Sequence, residues 1–180
     1  MDMNLFFDRI QSASHPYLGV LLPLYLESFP PEERRAPNDL LRMLNVQEMN
    51  FSAIRNDDLV VGLVIYWKFK GFLYLEHLTV TKDQQKKGIG EGVLKQLQKE
   101  ESPILLEVEI PYDDTSNRRA AFYNGAGFRA LPVYYHQPPY REGESLLPMM
   151  LFSDRTNWDP DILENAIALF QHRVYAFQKS

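Results

Sequence analysis

Residues 74–97 read YLEHLTVTKDQQKKGIGEGVLKQL, and this stretch decides the fold. Its beginning belongs to an apolar and aromatic run, residues 72–80, which predicts a buried strand. Its end predicts an amphipathic helix, whose apolar stripe consists of Ile89, Val93, Leu94 and Leu97. The sequence favours an anion site where the strand meets the helix, at a turn that contains Gly88 and Gly90. The first-turn amides of a helix and the helix dipole attract negative charge. A solvated connection is the alternative for such a Lys-Lys-Gly turn.

Two blocks of sequence resemble one known family. The pattern Gln85-x-x-Gly88-x-Gly90, after a strand that ends Leu-Thr-Val, resembles the pyrophosphate loop of the GNAT superfamily of acyl-CoA-dependent N-acyltransferases. Residues 118–128, RRAAFYNGAGF, are similar to the family's helix with a Phe-Tyr pair followed by Gly-Phe. The two blocks stand in the family's order with a strand-like segment between them, which is more specific than either block alone. The resemblance covers roughly residues 46–135.

We predict an α/β (α+β) fold of GNAT type in a single domain over residues 1–180. Its sheet should be mixed and mostly antiparallel, with six or seven strands, one parallel strand–helix–strand crossover, and helices on both faces. Two early helices are expected, one that starts at Pro23 and one that starts at Pro30-Pro31 and ends before Val46. A C-terminal helix over about residues 159–178 should pack on the domain or on a second subunit.

The resemblance implies that acetyl-CoA is the co-substrate. The loop amides would hold the pyrophosphate, and the main chain at the end of the strand would pair with the pantetheine arm. Ser116 stands where the family often carries an asparagine, seven residues before Tyr123, and Asn117 is the alternative for that contact. The predicted CoA-binding residues are Leu78, Thr79, Val80, Gln85, Lys86, Lys87, Gly88, Ile89, Gly90, Glu91, Ser116, Asn117 and Tyr123.

Acyl transfer to an amine needs a base, a polarised thioester carbonyl and a proton for the thiolate. The resemblance implies that Tyr123 is the general acid, although a core tyrosine on an amphipathic helix is the alternative. Glu107, in a Leu-Glu-Val stretch similar to ribosomal-protein N-terminal acetyltransferases, is a candidate base. Glu76 is a second candidate, since a glutamate on an apolar strand usually has a partner or a function. Glu109 shares the face of Glu107, and a water chain could replace every carboxylate.

Composition bounds the remaining possibilities. The chain has 180 residues, 45% of them apolar, and no cysteine, which excludes disulfides, thiolate metal sites and a cysteine nucleophile. The four histidines lack metal-ligand spacing, so we expect no metal. The net charge of −5 argues against a nucleic-acid partner. With no signal peptide or membrane-spanning run, we expect a cytoplasmic protein without a membrane partner.

The predicted function is N-acetylation of a primary amine on a small molecule or peptide by direct attack in a ternary complex, in a monomer or homodimer. Three alternatives remain open from the sequence. The acyl donor could be longer or the acceptor atom different. The chain could be a non-catalytic CoA-binding sensor or assembly module of the same fold. The loop could also bind another phosphate ligand.

Overall fold

The structure is a computed structural model that describes residues 4–175. These residues form two compact units, one up to Ser102 and one from Pro103 onward. Each unit has its own sheet strands and helices. The prediction that residues 1–180 form one domain stays a prediction. Across the described residues, no helix combines the length and the apolar character needed to cross a membrane.

The first unit is built on an antiparallel meander of four strands. These are β1 (Leu5–Arg9), β2 (Met49–Asn56), β3 (Leu59–Phe69) and β4 (Phe72–Val80), hydrogen-bonded in chain order. Two-residue turns link β2 to β3 and β3 to β4, and positive φ values at Asp57 (51°) and Gly71 (92°) fit such turns. Seven consecutive residues of β3, Val61–Trp67, are buried, and six of them are hydrophobic, so both faces of the strand are covered.

Three helices accompany this meander: α1 (Leu18–Ser28), α2 (Pro37–Arg42) and α3 (Ile89–Gln98). The predicted start of α1 at Pro23 is wrong, because the helix begins five residues earlier and contains the proline. Pro23 removes one backbone hydrogen bond, but the fully buried Leu21 and Tyr25 hold the helix against β3 and β4. The helix predicted from Pro30-Pro31 is also wrong: Pro31–Glu33 is a single 3-10 turn, and α2 starts at a new proline, Pro37.

The second unit contains β5 (Ile104–Glu109), α4 (Asp114–Gly125), β6 (Arg129–Ala130), β7 (Tyr135–Gln137), β8 (Leu147–Ser153) and α5 (Pro160–Tyr175). Strand β8 is its centre, because β5 pairs with one edge of β8 while β6 and β7 pair with the other, all antiparallel. Helix α5 confirms the C-terminal helix up to Tyr175; its predicted last residues, 176–178, lie outside the described part of the chain.

The described residues hold eight strands, one more than the upper number predicted. The number rises because the segment that follows α4 is divided into two short strands, β6 and β7. Pro132 lies between them, and a proline has no N–H to donate to a ladder. Leu131 still donates to the carbonyl of Leu151 at 2.8 Å, after which the chain leaves the edge of β8 and returns at Tyr135.

Candidate functional site

The predicted anion site lies where the chain enters α3. Gly88 is the N-cap residue, with φ 79° and ψ 4°, a left-handed conformation that glycine adopts without steric penalty. Since Gly88 has no side chain, nothing on this residue covers the first-turn amides of the ten-residue helix. These amides and the positive end of the helix dipole suit a phosphate group.

The loop before α3 exposes its polar side chains while its backbone is held at both ends. Gln85, Lys86 and Lys87 are exposed, and Lys86 also has a positive φ of 63°. Gln85 donates from Nε2 to the carbonyl of Val80 at 3.3 Å, which ties the loop to the end of β4. Ile89 is buried and anchors the other end. The loop is therefore a fixed backbone with two cationic side chains on its surface.

The backbone at the end of β4 lies unusually close to the backbone of β3. Leu78, Thr79 and Val80 are half-buried, and Val80 lies opposite Gly62. A Cβ atom on Gly62 would stand 2.3 Å from the carbonyl oxygen of Thr79, so only glycine fits there. The Thr79 hydroxyl donates to the Ser28 hydroxyl at 2.9 Å, which joins this part of β4 to the end of α1.

Glu76 lies in a buried ion pair on β4. Its carboxylate accepts one bond from the guanidinium of Arg35 and a second from the Trp67 indole N–H at 2.7 Å. The side chains of Arg35 and Glu76 are 0% and 1% exposed. The backbone N–H of Arg35 donates to the Tyr25 hydroxyl at 2.9 Å, and burial raises the pKa of Tyr25 well above its ordinary value. Glu76 thus fastens the segment before α2 to β4.

His77, the next residue, is buried among aromatic rings. Its ring stands edge-on to Phe29 at 4.3 Å and to Tyr25 at 5.2 Å between centroids. Its Nε2 lies 3.0 Å from the Glu33 carbonyl oxygen; because a carbonyl only accepts, this nitrogen carries the proton. Burial lowers the pKa of His77 to about 4, despite the nearby Glu76 carboxylate, so the ring is neutral at physiological pH.

Glu107, on β5, is held by two tyrosines. The Tyr135 hydroxyl donates to Oε1, and the Tyr175 hydroxyl donates to Oε2 at 2.7 Å. Burial, with a further contribution from the Glu107 charge, raises the pKa of Tyr135 far above its ordinary value, so this phenol stays a donor. Glu109 instead forms a salt bridge, in which it accepts from Arg119 of α4 at 2.6 Å.

Helix α4 carries the other candidate residues. Burial raises the pKa of Tyr123 to about 12, although Arg119 acts in the opposite direction, so the phenol is a neutral donor at pH 7. Ser116 is buried, and its hydroxyl forms a capping box with Asp113 at the start of α4. Asn117 is exposed and donates from Nδ2 to the Asp113 carbonyl at 2.7 Å. The pantetheine contact assigned to Ser116 or Asn117 stays a prediction.

Sequence reasoning missed four residues that hold the candidate carboxylates: Arg35, Trp67, Tyr135 and Tyr175. Their contacts with Glu76 or Glu107 span from 9 to 68 residues, and no local pattern joins such positions. The role of Ser116 had a readable signal, since a cap residue followed three positions later by a hydrogen-bonding side chain is the pattern of a capping box. Between residues 4 and 175, no group of three or more His, Asp or Glu side chains could hold a metal ion.

Comparison with known proteins agrees with this architecture. The model of the acetyltransferase (GNAT) domain family matches residues 24–152. A GNAT-family protein from Bacteroides thetaiotaomicron, provisionally named an acetyltransferase, is 33% identical over 94% of this chain and 98% of its own, with a TM-score of 0.86. YjbC of Bacillus subtilis (strain 168), also provisionally named an acetyltransferase, is 28% identical over 77% of this chain and 72% of its own.

A more distant likeness concerns the fold alone. Arabidopsis thaliana NAA60, solved in complex with acetyl-CoA, shares 17% identity with a TM-score of 0.61, over 83% of this chain and 97% of its own. The match to the family model and the likeness to the Bacteroides protein confirm the predicted superfamily and the predicted mixed α/β fold. This chain belongs to the GNAT family of acetyltransferases.

Proposed function

We propose that this protein transfers the acetyl group of acetyl-CoA to a primary amine of a small molecule or peptide, by direct attack within a ternary complex. The observation that carries the proposal is the entry to α3. There a left-handed Gly88 opens the helix without a capping side chain, in a chain of a family whose members act on acyl-CoA.

The residues of the first unit suit the pyrophosphate and pantetheine of CoA. The amides from Lys86 to Gly90 would bind the pyrophosphate, because first-turn amides and the helix dipole favour a phosphate there. Lys86 and Lys87 add exposed positive charge. The main chain of Leu78–Val80 would pair with the pantetheine arm as an added strand does, and its N–H groups could polarise the thioester carbonyl.

Glu107 is the better proposed base of the two glutamates. Glu76 is bound to a buried guanidinium and an indole N–H, and removing one partner of a buried ion pair typically costs roughly 3–5 kcal/mol. Glu107 is half-buried, and the Tyr135 and Tyr175 phenols that donate to it are neutral, so these two bonds leave the carboxylate negatively charged. We therefore propose that Glu76 positions the segment before α2 and that Glu107 accepts the proton of the amine.

The proposed reaction balances with one base and one acid. Glu107 takes a proton from the acceptor ammonium, and the amine nitrogen attacks the thioester carbonyl carbon. The C–S bond then breaks, and the hydroxyl of Tyr123 gives its proton to the departing thiolate. The amide nitrogen loses its remaining extra proton, which restores the Tyr123 phenol, and Glu107 releases its proton to solvent. The raised pKa of Tyr123, about 12, favours this role because the phenol is fully protonated before the step.

We also propose a cytoplasmic monomer or homodimer that acts without a nucleic-acid or membrane partner. The net charge of −5 supports the proposed lack of nucleic-acid and membrane partners, since it disfavours attraction to nucleic acid and to anionic lipid. The same charge is compatible with a cationic acceptor amine.

Two measurements, made one after the other, test the proposed function. Isothermal titration calorimetry should show acetyl-CoA binding in preference to free phosphate and to nucleotides. A thiol-release assay with a panel of amines should then show CoA production that depends on the amine. Binding without release across a broad panel would leave a CoA sensor or assembly module. Preference for phosphate or nucleotide over acetyl-CoA would contradict the CoA assignment itself.

A further inference from the structure

We propose that Tyr175, on the C-terminal helix α5, is a positioning residue for Glu107, so that α5 belongs to the working site of the second unit. The inference rests on the proposed function, in which Glu107 is the base. Helix α5 begins at Pro160, beyond the last residue that the family model matches, 152. Nothing in the family resemblance therefore assigns a role to this helix.

Strand register brings Glu107 and Tyr135 to one face of the sheet. Glu107 lies opposite Leu151 on one edge of β8, and Tyr135 lies opposite Met149 on the other edge. Leu151 and Met149 are two residues apart, so they and their partners point to the same face. The hydroxyl of Tyr135 reaches Oε1 of Glu107 across the central strand.

Helix α5 is fastened over this face by three contacts near its C-terminal end. Gln171 donates from Nε2 to the carbonyl of His136 at 3.2 Å. The ring of Phe170, which is 0% exposed, lies 6.2 Å from the ring of Tyr135. The ring of Tyr175 lies 4.9 Å from the ring of Tyr140. These contacts fix the depth and direction from which the Tyr175 hydroxyl reaches Glu107.

Two phenols on two oxygens give the carboxylate a defined plane. Tyr135 binds Oε1 and Tyr175 binds Oε2, so rotation of the carboxylate would break both bonds. Both donors favour the ionised carboxylate, which is the form that accepts a proton. Tyr175 would thus act on the amine only through Glu107.

The substitution Tyr175→Phe tests this role, because it removes the hydroxyl and retains the ring against Tyr140. At saturating acetyl-CoA and amine, turnover should fall by roughly tenfold, because a carboxylate that can rotate lies less often in the geometry that proton transfer needs. The KM for acetyl-CoA should stay within about twofold, since Glu107 is proposed to act on the amine and not on acetyl-CoA. Tyr135→Phe, on β7, should behave in the same way and provides an independent second variant.

The same substitution in a Glu107→Gln background separates positioning from a structural role. If Tyr175 acts through Glu107, Tyr175→Phe should change the residual turnover of Glu107→Gln by less than about twofold. An equal loss in both backgrounds, or no loss in the wild-type background, would overturn the inference. Tyr66→Phe is the matched control, since it removes the hydroxyl of a mostly buried tyrosine on β3 and should alter neither turnover nor KM.

A measurement without turnover separates this inference from the proposed function. The side-chain carboxyl carbon of Glu107 can be followed by NMR as pH is lowered, in wild-type protein and in Tyr175→Phe. Loss of a donor should move its titration midpoint upward, whereas Tyr66→Phe should leave it in place. An unmoved midpoint would overturn the contact even in an active enzyme. If the midpoint moves but the protein releases no CoA in the presence of amines, the hydrogen bond between Tyr175 and Glu107 is real. The proposal that Glu107 is a base, and with it the positioning role of Tyr175 in the reaction, is then rejected.

Discussion

Replacing His77 by glutamine should make the protein less sensitive to acid. His77 is buried against Phe29 and Tyr25, and burial keeps its ring neutral well below the pH at which a solvated histidine gains a proton. Glu76 attracts a proton to the ring, whereas the neighbouring Arg34 and Arg35 repel it. The unfolded chain can protonate this histidine freely, so acid should favour the unfolded state.

The size of the effect follows from the displaced pKa. The pKa of His77 is lowered from 6.5 to about 4 in the folded protein. Above pH 6.5 neither state binds the proton, and the full stability is present. Between pH 6.5 and pH 4 the unfolded state binds a proton that the folded state does not, so stability falls with falling pH. At 1.36 kcal/mol per pKa unit, the loss from this residue totals about 3 kcal/mol.

Urea unfolding at a series of pH values from 7.5 to about 4 measures this loss. Glutamine does not titrate and can still donate to the Glu33 carbonyl, so His77→Gln should lose about 3 kcal/mol less than the wild-type protein over that range. The exposed His172 provides the control, because His172→Gln should leave the wild-type pH dependence unchanged. Parallel stability curves for wild type and His77→Gln would refute the argument that burial keeps this ring neutral.

Two glycine substitutions, each with a control, test the backbone around the proposed CoA site; one is measured by affinity and the other by stability. Gly88→Val should lower affinity for acetyl-CoA at least about tenfold, because a branched side chain would stand between phosphate and amides; Gly143→Val, at another left-handed glycine (φ 85°), should leave calorimetric affinity unchanged. Gly62→Ala should destabilise the protein by roughly 1–3 kcal/mol in urea, since the new Cβ would meet the Thr79 carbonyl. Gly19→Ala, where a new Cβ would meet nothing within 4 Å, should cause no loss of stability. Equal losses of affinity for Gly88→Val and Gly143→Val, or equal losses of stability for Gly62→Ala and Gly19→Ala, would contradict the role given to Gly88 or to Gly62.

The parts of the fold that the sequence predicted are those in which local pattern and tertiary packing agree. The long apolar run of β3 and the stripe on α3 each specify an element and its buried face. Gly88 was expected at a turn, and its left-handed conformation explains the glycine there. Lys86, however, adopts φ 63° with a side chain present, which no residue preference predicts.

In the early helices, tertiary packing outweighs the local preference of proline for the start of a helix. A proline argues for a helix start, yet Pro23 lies inside α1 because burial of Leu21 and Tyr25 outweighs one missing hydrogen bond. Conversely, Pro31 does begin a helical turn, but the turn ends after three residues and the chain restarts at Pro37. The preference of proline for helix starts therefore pointed to helical segments in this region, but it misplaced the residues at which the helices begin and end.

The candidate glutamates were recognisable from sequence, but their partners were not. A glutamate on an apolar strand indicates a partner or a function, and both kinds of environment occur. Glu76 is bound to Arg35, 41 residues away, whereas Glu107 is bound to Tyr175, 68 residues away. Only the three-dimensional structure distinguishes a buried ion pair from a carboxylate held by neutral phenols, and that difference decides which glutamate we propose as the base.

The most direct test of the central claim is to detect the acetylated amine itself. Wild-type protein, acetyl-CoA and an amine that supports CoA release should be analysed by mass spectrometry, with Tyr123→Phe beside them. We expect one acetyl group on the amine nitrogen for each CoA released. Tyr123→Phe should slow this transfer by roughly a hundredfold, with affinity for acetyl-CoA little changed. A protein that binds acetyl-CoA but places no acetyl group on any amine, with Tyr123→Phe indistinguishable from it, would contradict the account.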